Sequence, residues 1–336
     1  MKFVQYSKSY NNITKIKSDF VQENKKYLNY VHKINKIYKK NPKRIKCKNC
    51  EKKTLIKFIK SHYINYFLCK TCSHLNGAHQ DTKKFTKKIY SDDSGKNYSK
   101  TYAKDFNIRV KNIYDPKVKF LKKVIKEKIS LLDIGSGAGH FLKALENNKI
   151  KAEGLEPNRI LCKIGNKKIK KNKLNLSNLD DIYEIVKTQN KFNTISLIGV
   201  MEHLEKPNFL IENFLKSKAK YLYISVPLFS LSVFLENSFK KVFPRHLAST
   251  HTHLYTKKSL NYFSKKNNLT VIGEWWFGTD MPDLYRSLIN TSSYLNKELY
   301  LKELNNKFFL ILNELQNILD TNQICSEVHM VFKKTK

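Results

Sequence analysis

The sequence predicts an α/β chain: a doubly wound sheet of seven strands, the last antiparallel, preceded by a small N-terminal module built on cysteines. Three observations carry this. Residues 131–139, Leu-Leu-Asp-Ile-Gly-Ser-Gly-Ala-Gly, join an apolar strand to a helix through three alternate glycines. Short apolar runs then alternate with segments of helical spacing, as parallel strands and crossover helices require. Nearer the N-terminus, Cys47-Lys-Asn-Cys50 and Cys69-Lys-Thr-Cys72 form two C-x2-C pairs with 18 residues between them.

Residues 1–42 are basic, with loosely spaced apolar positions (Phe20, Tyr27, Tyr30, Val31, Ile34, Ile37, Tyr38), which predicts a helical segment covering part of the next module. Pro42 marks its boundary. Residues 43–80 hold the cysteine pairs, with strands between Thr54 and Phe67. Each pair presents two thiolates, and Cys47, Cys50, Cys69 and Cys72 together complete a tetrahedral sulfur shell. Zinc is the expected guest of this ribbon; rubredoxin-like iron is the other metal, and reduced pairs or disulfides are the metal-free alternative. With all four positions filled by protein, the ion is structural. Cys162 and Cys325 stand alone and read as small packed hydrophobes.

Residues 81–127 read as linker and lid helices: Gly77 to Gly95 is polar, and Tyr98 to Phe120 is helical with a break at Asp115-Pro116. Residues 128–336 form the large domain, with strands expected near 129–133, 151–156, 172–176, 194–200, 220–226, 269–277 and 325–333. Two insertions, Leu228 to His253 and Leu284 to Asp320, interrupt the alternation. The first leaves the carboxyl end of a strand, where open α/β sheets bind ligands, so it should wall an acceptor pocket.

Composition narrows the partners. A formal net charge of +36 would ordinarily point to nucleic acid, but 59 lysines against 5 arginines, in a chain also rich in Asn and Ile, look like A/T-rich coding drift. The lysines are scattered over every segment, which argues against nucleic acid as the partner. The start, Met-Lys-Phe-Val-Gln-Tyr-Ser-Lys, lacks the apolar stretch of a signal peptide. The longest uncharged run, Tyr221 to Leu235, has 15 residues broken by Pro227, against the roughly 20 that a membrane span needs. A soluble cytoplasmic protein is expected.

A strand turning through glycines into a helix exposes backbone N–H groups at a positive helix end, which suits a nucleotide-like cofactor. The dinucleotide fingerprint G-x-G-x-x-G would need glycine where His140 stands. A second strand, Lys151 to Glu156, ends in an acid 21 residues after Gly135, placed to accept ribose hydroxyls. The run from Asp133 to Gly139 resembles motif I of the class I S-adenosylmethionine-dependent methyltransferases. Asn193 to Pro207, with Met201-Glu-His-Leu-Glu-Lys-Pro at its end, is similar to the "V-L-E-H-L-x-x-P" segment of bacterial methyltransferases related to ubiquinone-type O-methyltransferases; Asn193 takes the place of the usual Asp. The resemblance covers roughly residues 95–335.

That resemblance implies S-adenosylmethionine as cofactor. Gly135, Gly137 and Gly139 would lie against its methionine moiety, Asp133 would order its ammonium group and Glu156 would hold its ribose. Asn175, Leu176 and Ser177 would reach the adenine, and Gly199, Val200 and Glu202 would line the floor. Arg109 can grip a carboxylate with its planar fork and so clamp the cofactor's carboxylate, with Tyr98 and Tyr102 as a lid; a surface ion pair or a structural contact is its other reading.

Four histidines suit proton removal near neutrality: His203 after the fourth strand, and His246, His251 and His253 in the first insertion. His251 and His253 alternate as strand-borne metal ligands would. His253-Leu-Tyr-Thr before a helix resembles the "E-H-L-x-Y-F-S" segment of zinc-containing deoxysugar C-methyltransferases, in which that histidine serves catalysis; Thr252 replaces the Glu. The cysteine module followed by a methyltransferase matches that group's layout. The expectation is therefore methylation of a small polar acceptor, a nucleotide-linked sugar or surface-glycan precursor of polysaccharide biosynthesis, with His253, then His203 and His251, as catalytic groups. The alternatives are an RNA, lipid or quinone-type O-methyltransferase, or a nucleic-acid-binding ribbon on a vestigial methyltransferase fold; the intact glycines, Glu156 and the Glu202-His203 pair speak against the last.

Overall fold

The computed structural model describes residues 2–8, 23–93, 105–247 and 251–335. Five parallel strands make the frame: β5 (Ser130–Ile134), β6 (Lys151–Glu156), β7 (Lys173–Leu176), β8 (Thr194–Ile198) and β9 (Tyr221–Pro227). Two more close its far side, β11 (Leu269–Phe277) and the antiparallel β12 (Glu327–Lys334), which inserts between β11 and β9. The apolar runs that read as buried strands are buried on both faces: every residue of β9 is inside. One core layer gathers Leu132, Ile195, Leu197, Leu222, Ile224 and Phe332; the other gathers Leu131, Phe141, Leu142, Tyr223 and Val331.

The sheet has eight strands, one more than expected. Phe3–Tyr6 of the N-terminal segment forms β1 and adds in parallel to the outer edge of β11. The segment expected to be helical therefore opens as a strand and holds one described helix, α1 (Asn24–Tyr38). The reason is the open edge of β11, whose backbone groups β1 pairs. Phe3 is anchored there on Phe120, with ring centroids 6.1 Å apart.

The full order is β1-β11-β12-β9-β8-β5-β6-β7. Strands added after β5 run outward on one side through β6 and β7 and on the other through β8 and β9. The crevice beyond the carboxyl end of β5 is thus the topological switch point, where such sheets bind ligands. The flanking helices are α2 (Asp115–Val124), α3 (His140–Asn147), α4 (Arg159–Lys168), α5 (Ile182–Thr188), α6 (Pro207–Lys216), α7 (Leu231–Ser238), α8 (Lys257–Lys266), α9 (Asp280–Thr291) and α10 (Lys297–Thr321). Pro116 and Pro207 sit in the first turns of α2 and α6, where a missing N–H costs nothing. Among the described residues no helix is long and apolar enough to cross a membrane.

The cysteine region forms a second sheet: β2 (Leu55–Ser61), β3 (Ile64–Cys69) and β4 (Leu75–Gly77), completed by the two-residue β10 (His253–Leu254) from the first insertion. His253 pairs with Asn76 and Leu254 with Leu75. The Gly77 N–H donates to the Thr252 carbonyl at 2.7 Å, and the Tyr66 hydroxyl donates to the Leu247 carbonyl at 2.8 Å. Helix α1 covers this sheet through Ile34 and Tyr38, which pack with Ile64, Tyr66, Leu75, Leu247 and Leu254. The ribbon is therefore welded to the insertion.

Candidate active site

At the switch point, β5 ends in Asp133 and the chain turns through Gly135, Gly137 and Gly139, all at positive φ. A Cβ on Gly135 would strike Val200, whereas one on Gly137 would meet nothing within 4 Å. The turn is thus packed on one side and bare on the side that faces the crevice. The Gly137 N–H donates to Glu156 Oε2 at 2.8 Å, and the Asn158 N–H to Oε1 at 2.9 Å. Each carboxylate oxygen retains acceptor capacity for a further donor.

Three acids share this crevice. Burial pushes Glu156 up to about 7, Asp133 up to about 6 and Glu202 up to about 8. Asp133 accepts the Ser196 hydroxyl at 2.6 Å, which ties β5 to β8. Gly199 turns the chain after β8, and a short 3-10 turn, Met201–His203, then presents Glu202 and His203. A buried lysine, Lys117 of α2, acts electrostatically on both Asp133 and Glu202. Acids outnumber this cation, so the crevice suits a ligand that is cationic and rich in hydroxyls. A sulfonium nucleoside with an amino-acid tail is such a ligand, and the open side of Gly137 leaves its backbone room.

Other expected cofactor contacts are placed less centrally. The Ser177 N–H donates to the Glu156 carbonyl at 3.1 Å, while Asn175 and Leu176 are exposed beside it at the end of β7. Arg109 is half-buried at the end of the short helix Phe106–Arg109, which packs on α3 directly after the glycine turn. Tyr98 and Tyr102 lie outside the described residues.

The histidines divide between two environments. His246 is locked into an ionic network: its Nδ1 lies 3.1 Å from Glu236, whose carboxylate also receives the backbone N–H groups of Arg245, His246 and Leu247. Burial opposes charge on His246, but Glu236 holds it above the ordinary imidazole range. Arg245 and Arg286 pair with Asp283 in the same network, joining α9 to the insertion. His246 is a structural group. His203, His251 and His253 instead gather beyond β8 and β9. The rings of His203 and His251 are 4.9 Å apart, and the Tyr90 hydroxyl lies 2.7 Å from His203 Nδ1. His253 is fully buried, with Nδ1 2.8 Å from His74 Nε2; its own Nε2 has no hydrogen-bond partner. Burial drives His251 and His253 well below the ordinary imidazole range, with His203 adding to the first and Lys48 to the second.

Sequence reasoning missed Tyr90, Lys117 and a chain along β9 and β12. In that chain Tyr223 lies 2.7 Å from His329 Nδ1, and His329 Nε2 lies 3.0 Å from Glu327. Burial opposes it, but His329 and Lys8 hold Glu327 well below the usual carboxylate range. Lys117 carried no signal because it is one lysine among 59. Glu327 and His329 alternate in the last strand, and that spacing was the one available clue.

In the ribbon, the four sulfurs lie together in the interior: Cys47 to Cys72 is 3.7 Å and Cys50 to Cys69 is 3.5 Å. Thiolates about 2.3 Å from a tetrahedral ion would stand about 3.8 Å apart, so the shell fits a metal, and these separations exclude disulfides. Asn76 and Asn49 donate to Cys47 and Cys72 at 3.5 and 3.7 Å, and Thr54 approaches Cys69 at 3.2 Å. Such contacts complete the outer shell of a thiolate site.

A family model described as a methyltransferase domain matches residues 106–274, just over half of the chain. No curated protein sequence matches the chain. Among solved structures, the chain is similar to a SAM-dependent methyltransferase from Archaeoglobus fulgidus, at 16% identity and a TM-score of 0.46, over 70% of this chain and 100% of that one. It is also similar to magnesium protoporphyrin IX methyltransferase from Synechocystis PCC 6803 with bound SAH, at 10% identity and a TM-score of 0.48, over 76% and 100%. These likenesses concern fold alone. The class that the switch-point site and the matched span define is the S-adenosylmethionine-dependent methyltransferase. The chain belongs to the methyltransferase-domain family, whose matched span runs from the short helix Phe106–Arg109 before the glycine turn into β11.

Proposed function

We propose that the chain moves the methyl group of S-adenosylmethionine to a small polar acceptor, a nucleotide-linked sugar or surface-glycan precursor. The observation that carries this reading is the wall beyond β8 and β9. It is built from His203, His251, Thr252, His253 and Tyr90, and the ribbon backs it through the β4–β10 pairing. The buried, unpartnered His253 Nε2 there matches a hydroxyl of a small ligand better than a macromolecular surface.

Glu156 takes the ribose hydroxyls, the bare face of Gly137 admits the methionine portion, and Asp133 receives the ammonium group. The cofactor supplies an activated methyl: the acceptor's electron pair forms the new bond to carbon as the carbon–sulfur bond breaks. The protein's task is then to align the acceptor and to remove its proton. We assign that proton to His253 Nε2, with His74 fixing the ring through Nδ1. We assign a structural zinc to Cys47, Cys50, Cys69 and Cys72; no step of the transfer passes through it.

The test is labelled-methyl transfer from S-adenosylmethionine to nucleotide sugars, cell-envelope extracts and tRNA. Transfer to a nucleotide sugar or an envelope glycan precursor, abolished in Glu156→Ala, is expected. Transfer to tRNA alone would overturn the acceptor assignment.

A further inference from the structure

The ionisable clusters differ in how completely their charges are answered. Around Asp283 and Glu236, arginines and backbone N–H groups meet each carboxylate. At the acceptor wall this does not hold. Glu202 is buried, its Oε1 is 3.8 Å from His203 Nε2, and its Oε2 has no partner. His251 Nδ1 is likewise buried without a partner. The Glu202 carboxylate keeps a bond from its own backbone N–H, but a carboxylate oxygen buried with no partner is costly unless something absent completes it.

We propose that Glu202, His203 and His251 hold a divalent transition-metal ion at the acceptor end of the pocket, distinct from the ion of the cysteine shell. One ligand atom from each lies within 4.8 Å of the others. Two imidazoles and one carboxylate are the donor set of zinc, manganese, cobalt and ferrous sites, and three protein ligands leave coordination positions open. A tetrahedral shell places such atoms about 3.4 Å apart, so the three groups close by about an ångström around the ion. The second shell is in place. With Nε2 offering its lone pair to the metal, His203 Nδ1 carries the proton and donates to the Tyr90 oxygen 2.7 Å away. An acceptor hydroxyl or amine bound in an open position is oriented and made more acidic, and its proton passes to His253. This catalytic role rests on the methyltransferase reading; the binding of the ion does not.

The experiment is therefore done without cofactor or acceptor. The full chain, with its cysteine shell loaded with zinc, is dialysed against Mn2+ and separately against Co2+, and bound metal is counted. Manganese is informative because soft thiolates select against it. Wild type should retain one Mn2+ per chain. Glu202→Gln and His251→Ala should each lose at least about tenfold in affinity, while circular dichroism and the cysteine-bound zinc stay unchanged. Tyr90→Phe keeps all three ligands and should weaken binding by about 10–100-fold, as loss of a second-shell partner does. Absence of any Mn2+ or Co2+ beyond the cysteine shell would overturn the site, as would equal retention in all three variants. If metal binds as expected but labelled methyl is never transferred, the methyltransferase reading fails and the metal site stands.

Discussion

Glu156, proposed to hold the ribose, would let one side chain set the pH response of cofactor binding. Burial raises it to about 7, well above an ordinary glutamate, so its titration falls near neutrality in the empty protein. Ribose hydroxyls need the ionised form as acceptor. Cofactor affinity should therefore strengthen from pH 6 to pH 8, with a proton released on binding; calorimetry in buffers of different ionisation enthalpy measures both. The sign for folding is opposite. A carboxyl whose folded-state pKa is raised stabilises below its ordinary range, and that contribution is lost as pH rises through about 7, so Glu156→Gln should flatten the fall in Tm of the cofactor-free protein. Glu156→Ala removes two charge-assisted hydrogen bonds, each worth about 1.5–3 kcal/mol, and unchanged affinity would refute its role. His253 is the other residue whose role one substitution decides. His253→Ala should depress turnover by about 10²–10⁴ with cofactor binding intact, as loss of a general base does. Near-wild-type turnover would remove it as the base, and a larger defect in cofactor binding than in turnover would make it structural.

The same histidine shows what an element adds that a residue cannot. His253–Leu254 is a strand of two residues, too short for any periodicity to betray, yet it joins the ribbon sheet to the insertion after β9. A metal held at the four cysteines would consequently bear on the proposed acceptor wall. Cys47→Ser/Cys72→Ser should lose the cysteine-bound zinc, lower Tm, and make residues 228–253 newly sensitive to protease. Loss of zinc with no change in protease pattern would show the weld to be weaker than its hydrogen bonds suggest. The long strands and the glycine turn were legible because parallel strands buried on both faces read as continuous apolar runs. The β6 carboxylate was legible because its distance from the turn is fixed by one crossover helix. By contrast β1, four residues at a sheet edge, reads like the basic segment around it. The grouping of His251 with Glu202 and His203 was hidden because 47 residues of sequence separate His203 from His251.

For the whole molecule the unresolved tension is charge. A net +36 on a chain of 336 residues creates a field that attracts polyanions whatever the active site prefers. The interior uses that charge sparingly. Lys48 and Arg44 are buried against one carboxylate, Asp81, and Lys117 faces the crevice acids, while most of the remaining described lysines are exposed. Charge spread in this way binds phosphates by counterion release alone, without positioned contacts to bases. Random RNA and DNA should accordingly bind weakly and indistinguishably, and affinity should fall along the same steep line as salt rises from 50 to 200 mM. The slope of log K against log salt counts the phosphates neutralised; it should not change in Glu156→Ala, whose defect lies in the crevice. Filter-binding or anisotropy titrations at several salt concentrations give both quantities. A single RNA held tightly at 200 mM salt, and displaced by the cofactor product, would place a nucleic acid in the acceptor pocket and reverse the small-acceptor assignment.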